Sequence, residues 1–206
     1  MDIIQILKDE LQINRSQAEA AVKLIDEGNT IPFIARYRKE ATGSLNDEVL
    51  RNLDERLKYL RNLEERKEQV INSIREQEKL TPELEKKILA ASTLVAVEDL
   101  YLPYRPKRKT RASIAKEKGL EPLANLVLMQ LTKTPLLKEA EHYISEEKGV
   151  LTAEEALNGA KDILAERIAE TAEYRTYIRK ATFQEGSLDS SARDGNAESV
   201  YEMYYN

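Results

Sequence analysis

Five cations fall within the seven positions 105–111: Arg105, Lys107, Arg108, Lys109 and Arg111. Cations at this density on a loop suit successive phosphates, whose counterions they displace. Tyr101 and Tyr104 precede the run and could stack on unpaired bases. Nucleic-acid binding is therefore the chemistry that these residues offer. The competing explanations are a solvated charge run, or an Arg-rich loop that pairs with the many carboxylates nearby. A second cluster, Arg36, Arg38 and Lys39, sits in TIPFIARYRKEATGSL (30–45). It could bind phosphate, or one arginine could pair with an internal carboxylate while the others stay solvated.

Enzyme chemistry has little to build on. Cysteine is absent and His142 is the single histidine, so thiolate and multi-histidine metal sites are excluded. Neighbouring acidic pairs such as Glu64/Glu65 and Glu154/Glu155 occupy adjacent helical positions, which do not face each other. Neither a dinucleotide fingerprint nor a phosphate loop occurs. The chain is not expected to be an enzyme, and no cofactor or metal is expected. Net charge is −5, so the basic run stands against an acidic average. No apolar run is long enough for a bilayer and no signal peptide opens the chain, so a cytoplasmic protein is expected.

The elements that must position these residues are helices. With 33% charged residues and only 7 glycines in 206, the composition favours an all-α fold over a loop-rich or all-β one. Ile3, Ile4, Leu7 and Leu11 mark a first helix over 2–12. Asn14 with Gln17 resembles a capping box for a second, whose apolar face is Ala18, Ala21, Val22 and Ile25 and which Gly28 ends. Thr30 and Pro32 open a short helix on which Phe33, Ile34 and Tyr37 share a face. Neither glycine nor proline occurs between Ser44 and Thr81. Leu50, Leu53, Leu57 and Leu60, then Val70, Ile71 and Ile74, predict one long central helix over 46–79, about 50 Å at 1.5 Å per residue. Its middle, Glu64–Gln69, is polar all round and is read as a solvent-spanning stretch or a bend.

Thr81 and Pro82 start a helix to about Ala91 with Leu84, Ile88 and Leu89 apolar, and Thr93 caps another to Tyr101, with Val97, Leu100 and Tyr101 as core candidates. Beyond the basic loop, 111–118 and 121–131 form two helices around Gly119, a helix-turn-helix arrangement within a subdomain spanning 81–131. Helix 121–131 carries only Glu121, Asn125 and Gln130 as polar residues, which makes it a packing unit rather than a base reader. Thr152 with Glu155 predicts a capping box for helix 153–170, with Leu157, Ala160, Ile163, Leu164 and Ile168 inward, and 172–185 continues as helix to Gly186. Residues 187–206 turn small and polar, then aromatic at Tyr201, Tyr204 and Tyr205. They read as the start of a connection to further domains.

The stretches IPFIARYRKEATGSL (31–45), EDLYLPYRPKRKTRASIAKEKGLEPLA (98–124) and ALNGAKDILAERI (156–168) closely resemble the N-terminal region of the bacterial Tex family of transcription accessory proteins. The resemblance covers residues 1 to about 186. It implies that this is the N-terminal helical domain, 1–186, of a longer protein related to a eukaryotic transcription elongation factor. In that family an RNase-H-like domain, helix-hairpin-helix elements and a C-terminal OB-fold follow. Nucleic-acid binding is attributed largely to the OB-fold, and no catalytic residue carries over onto these positions. The expected function is a helical scaffold that adds a basic surface for nucleic acid, RNA or DNA, or for RNA polymerase. A protein-interaction module that never touches nucleic acid is the alternative.

Overall fold

In the computed structural model, residues 1–192 and 200–205 are described. They form eleven α-helices and no strand in two units, Met1–Tyr101 and Leu102–Asn206. The division falls inside 81–131, the segment read from sequence as one subdomain: its first two helices belong to the first unit and its last two to the second. Residues 193–199 and 206 of the expected connection lie outside the described residues.

The first unit is built on α4, Asp47–Glu76, against which α1 (Ile3–Leu11), α2 (Arg15–Asp26), α3 (Ile31–Tyr37), α5 (Pro82–Ala90) and α6 (Leu94–Tyr101) pack. At 30 residues α4 is about 45 Å long and is one unbroken helix. Asn46 caps it by accepting the Val49 N–H at 2.8 Å. Leu50, Leu53, Leu57 and Leu60 are buried against Leu7, Ala18, Ala21, Leu24 and Ile34. Each buried leucine contributes about 1.5–3 kcal/mol of apolar transfer. Arg56 forks onto Glu10 at 2.6 and 2.7 Å, and Arg61 onto Asp26 at 2.7 and 2.9 Å. These paired hydrogen bonds fix where α1 and α2 sit along α4.

The middle of α4 is not solvent-spanning: one of its faces is buried. Lys67 is only 2% exposed, on the stripe that runs from Leu63 to Val70, Ile71 and Ile74. Its Nζ donates to the Leu89 carbonyl at 2.9 Å and lies 3.0 Å from Glu64 Oε1. The Glu64 approach has the distance of an ion pair but not the angles of a hydrogen bond, since Oε1 has no hydrogen-bond donor. The lysine stem thus continues the apolar stripe where sequence offered no apolar residue. Apolar Leu89 is exposed because Ile88 takes the contact position and the next residue on a helix points about 100° away.

In the second unit α7 (Arg111–Glu117), α8 (Glu121–Met129) and α9 (Leu136–Glu141) pack on α10 (Ala153–Glu170), and α11 (Ala172–Glu185) follows. The core uses small residues, Ala112, Ala115, Ala124, Ala140, Ala156 and Ala160, around Leu120, Leu123, Val150 and Ile163. Gly159 belongs to this close approach: a Cβ there would meet Leu120 Cδ1 at 2.4 Å. Ser145 and Val150 exchange two backbone hydrogen bonds of 2.9 Å, an isolated antiparallel bridge that the sequence did not suggest. Thr152 caps α10 through the Glu155 N–H, but the Glu155 carboxylate reaches back to Leu151 N–H at 2.8 Å, one residue beyond the expected box. Ile168, expected inward, is exposed.

Candidate nucleic-acid interface

The loop 105–110 joins a short 3-10 turn, Leu102–Tyr104, to α7. Its far end is fixed by a reciprocal cap. Ser113 N–H donates to Thr110 Oγ1 at 3.0 Å, and Thr110 N–H donates to Ser113 Oγ at 2.9 Å. A second anchor comes from α10: Lys107 Nζ pairs with Glu170 and lies 3.5 Å from Glu166, with its side chain 30% exposed. Two carboxylates from the last turns of α10 therefore hold one of the five expected phosphate ligands.

The other four cations face outward. Lys109 meets Glu117 at 3.4 Å, and Arg111, 87% exposed, approaches Asp162 at 3.8 Å. Solvated pairs of this kind contribute little and exchange readily with another anion. Among the described residues, Arg105 and Arg108 have no ion pair. The five side chains thus share one segment but split by role: Lys107 pins the loop, while Arg105, Arg108, Lys109 and Arg111 form the open cationic surface. The pinning carboxylates were not legible in sequence, because they lie about sixty residues away and no local spacing relates them to the loop.

Tyr101 does not serve as a stacking platform. It is buried in the first unit, its hydroxyl is 3.0 Å from Ser73 Oγ, and the Arg66 guanidinium lies 5.4 Å from its ring centre. Tyr104 is half-buried. Helices α7 and α8 turn at Gly119, whose φ of +80 is the left-handed conformation that glycine adopts freely. On α8, Leu123 and Ala124 are buried, and Asn125 accepts from Arg167 at 3.0 Å, so its amide is engaged within the fold.

The cluster on α3 and the loop after it differs from the reading in which one arginine pairs internally. Among the described residues, none of Arg36, Arg38 and Lys39 makes an ion pair. Arg38 instead lies 5.8 Å from the ring centre of Phe33.

An all-helical protein of two units, with cations displayed on a capped loop and on a short helix, is the class that these observations define. The chain belongs to the Tex family, as part of its N-terminal region. Residues 1–75 match the Tex-like protein N-terminal domain and residues 132–206 match the Tex central region. It is 50% identical over 193 residues to the protein tex of Bordetella pertussis, covering 94% of this chain and 24% of that protein. To the transcriptional accessory protein Tex of Neisseria gonorrhoeae it is 47% identical over 195 residues, covering 95% of this chain and 25% of that one. A human S1 RNA-binding domain-containing protein 1 is 31% identical over 180 residues, covering 86% of this chain and 18% of the human protein. The chain thus spans about a quarter of the length of its bacterial relatives. Among the described residues no helix is long and apolar enough to cross a membrane.

Proposed function

We propose that this chain is the helical N-terminal scaffold of a Tex-like transcription accessory factor, and that its 105–111 loop adds a basic surface for nucleic acid. The supporting observation is the pair Arg105 and Arg108, exposed and without carboxylate partners among the described residues, beside two weakly paired cations. The contribution is to affinity, not sequence choice, because phosphate contacts carry no base information and α8 presents no basic side chain. Transcription accessory relatives and a relative named for S1 RNA binding support a nucleic-acid setting. RNA polymerase is proposed as a further partner. The role is non-enzymatic and its place is the cytoplasm.

The rival reading, a scaffold without nucleic-acid contact, draws support from Lys107, whose charge is already matched by Glu166 and Glu170. Titration of the chain with single-stranded RNA and duplex DNA at several salt concentrations separates the two. Four phosphate contacts give a log–log slope of about −3.6 on duplex and about −2.8 on single strands. Replacing Arg105 and Arg108 with alanine should lower the slope by about one unit per contact on duplex and weaken all sequences alike. Binding unchanged by that double substitution moves the function to the scaffold reading.

A further inference from the structure

The first unit carries its own combination of cations and rings. An open depression of about 630 Å³ is lined by Phe33, Arg36 and Tyr37 of α3, by Lys39, and by Asp47 and Arg51 at the start of α4. Asp47 is taken up by Arg51 in an i,i+4 pair, so the one carboxylate of the lining is neutralised on its own helix. Arg36 and Lys39 remain without ion pairs among the described residues. Glu40 and Glu48 are exposed nearby but do not line the depression.

The aromatic pair is arranged asymmetrically. Phe33 and Tyr37 lie one helical turn apart with ring centres 5.3 Å apart and planes tilted by 45°. Phe33 thereby supports Tyr37 and also has the Arg38 guanidinium 5.8 Å from its ring centre. Tyr37 is the more open ring, 63% exposed against 38% for Phe33.

The backbone that presents Arg38 and Lys39 is held on both sides. The buried Thr42 hydroxyl donates to the Arg38 carbonyl at 3.2 Å, Ser44 N–H donates to the Lys39 carbonyl at 2.7 Å, and Gln17 donates to the Gly43 carbonyl at 3.0 Å. The cations therefore spring from an ordered turn, which lowers the entropy lost when they engage a ligand.

We infer that this α3 face is a binding site for single-stranded nucleic acid, in which Tyr37 stacks on an unpaired base while Arg36 and Lys39 contact the flanking phosphates. A ring with a free face accepts any base, and cations beside it follow the backbone, which is the combination by which single strands are held without sequence preference. A duplex offers no unstacked base to such a ring. The site stands on the first unit alone and does not rest on the reading of the 105–111 loop.

The test uses the whole 206-residue chain and a fluorescein-labelled twelve-nucleotide oligo(U). Tyr37→Ala should weaken binding roughly 5- to 150-fold, the range of one base stack, whereas Tyr37→Phe should retain it. The Arg36→Ala/Lys39→Ala pair should lower the single-strand salt slope by about 1.4, about 0.7 per phosphate. All three positions are exposed, so circular dichroism should stay that of the parent. An oligo(U) carrying 4-thiouridine should photo-cross-link within residues 33–39. Unchanged affinity in Tyr37→Ala together with cross-links confined elsewhere overturns the site, as does absence of binding by the parent chain at low salt. The Arg105→Ala/Arg108→Ala chain keeps the two questions apart. If it alone loses affinity, the loop binds and the α3 site fails; if it retains the cross-link at 33–39, the α3 site holds whatever the loop does.

Discussion

Lys67 of α4 donates its ammonium to the backbone carbonyl of Leu89, 22 residues on, across 2.9 Å in the interior of the first unit. The carbonyl belongs to the last turn of α5, where backbone acceptors lack helical partners. One side chain thus fills the apolar stripe with its stem and satisfies a helix end with its head. Lys67→Met keeps the stem and should cost about 1–3 kcal/mol for the stranded carbonyl. Lys67→Ala should cost about 2–5 kcal/mol, because a buried cavity is added. Urea unfolding checks both, and a loss below about 0.5 kcal/mol in the methionine variant would mean that the carbonyl finds water instead.

Gly159 of α10 is expected to resist the change that usually strengthens a helix. Alanine gains about 1 kcal/mol of propensity over glycine. Its Cβ, however, would stand 2.4 Å from Leu120 Cδ1 and 3.3 Å from Ala115 Cβ. Overpacking of about 1–3 kcal/mol should prevail and leave Gly159→Ala less stable by about 1 kcal/mol. In a Leu120→Ala background the same substitution should stop being harmful, and a double-mutant cycle in urea measures that coupling.

Freeing Lys107 should strengthen anion binding by the loop. Glu166→Gln with Glu170→Gln removes the two carboxylates that hold it. If the loop contacts phosphate, the salt slope on duplex DNA should steepen by about 0.9, the increment of one added contact. An unaltered slope would place Lys107 out of reach of the backbone.

Acid should loosen the first unit through the ion pairs on α4. The Arg56 hydrogen bond holds the Glu10 carboxyl below its usual 4.5, and the Arg61 hydrogen bond holds Asp26 below its usual 3.8. Carboxyls depressed in the folded state stabilise it above their unfolded values, and that stability is lost as pH falls through the folded values. The urea midpoint should therefore be level from pH 7 to about pH 5 and drop below about pH 4.5. The side chains of both pairs are between a third and a half exposed, so each pair contributes no more than about 1 kcal/mol. Arg61→Gln should lower the midpoint at pH 7 and flatten the acid limb.

The helices and most of their caps were legible because they are local. Thr81 and Thr152 each announce a start by side-chain type, and the leucines of α4 announce its buried face by their spacing. What escaped depends on partners distant in sequence. Lys67 looks like surface until Leu89 and Glu64 surround it, and Tyr101, a core candidate that could also stack on bases, is settled as core only by Ser73 and Arg66, which enclose it. The same holds for the candidate site: the five cations were found by composition, but only Glu166 and Glu170 reveal that Lys107 plays a different part. Conversely, one reading of the α3 cations expected an internal carboxylate partner that the described residues do not supply.

Helix α11 has no buried residue: Tyr174, Tyr177, Ile178 and Phe183 are all exposed along its 14 residues. A helix of that length is marginal in water by its own propensity. Its hydrogen bonds should open and reclose far more often than those of α4, so its amides should take up deuterium orders of magnitude sooner. Within one chain, α11 thus becomes a built-in gauge of contact: any surface that settles on its tyrosines would be read directly as slowed isotope exchange there, with α4 as the unchanging reference.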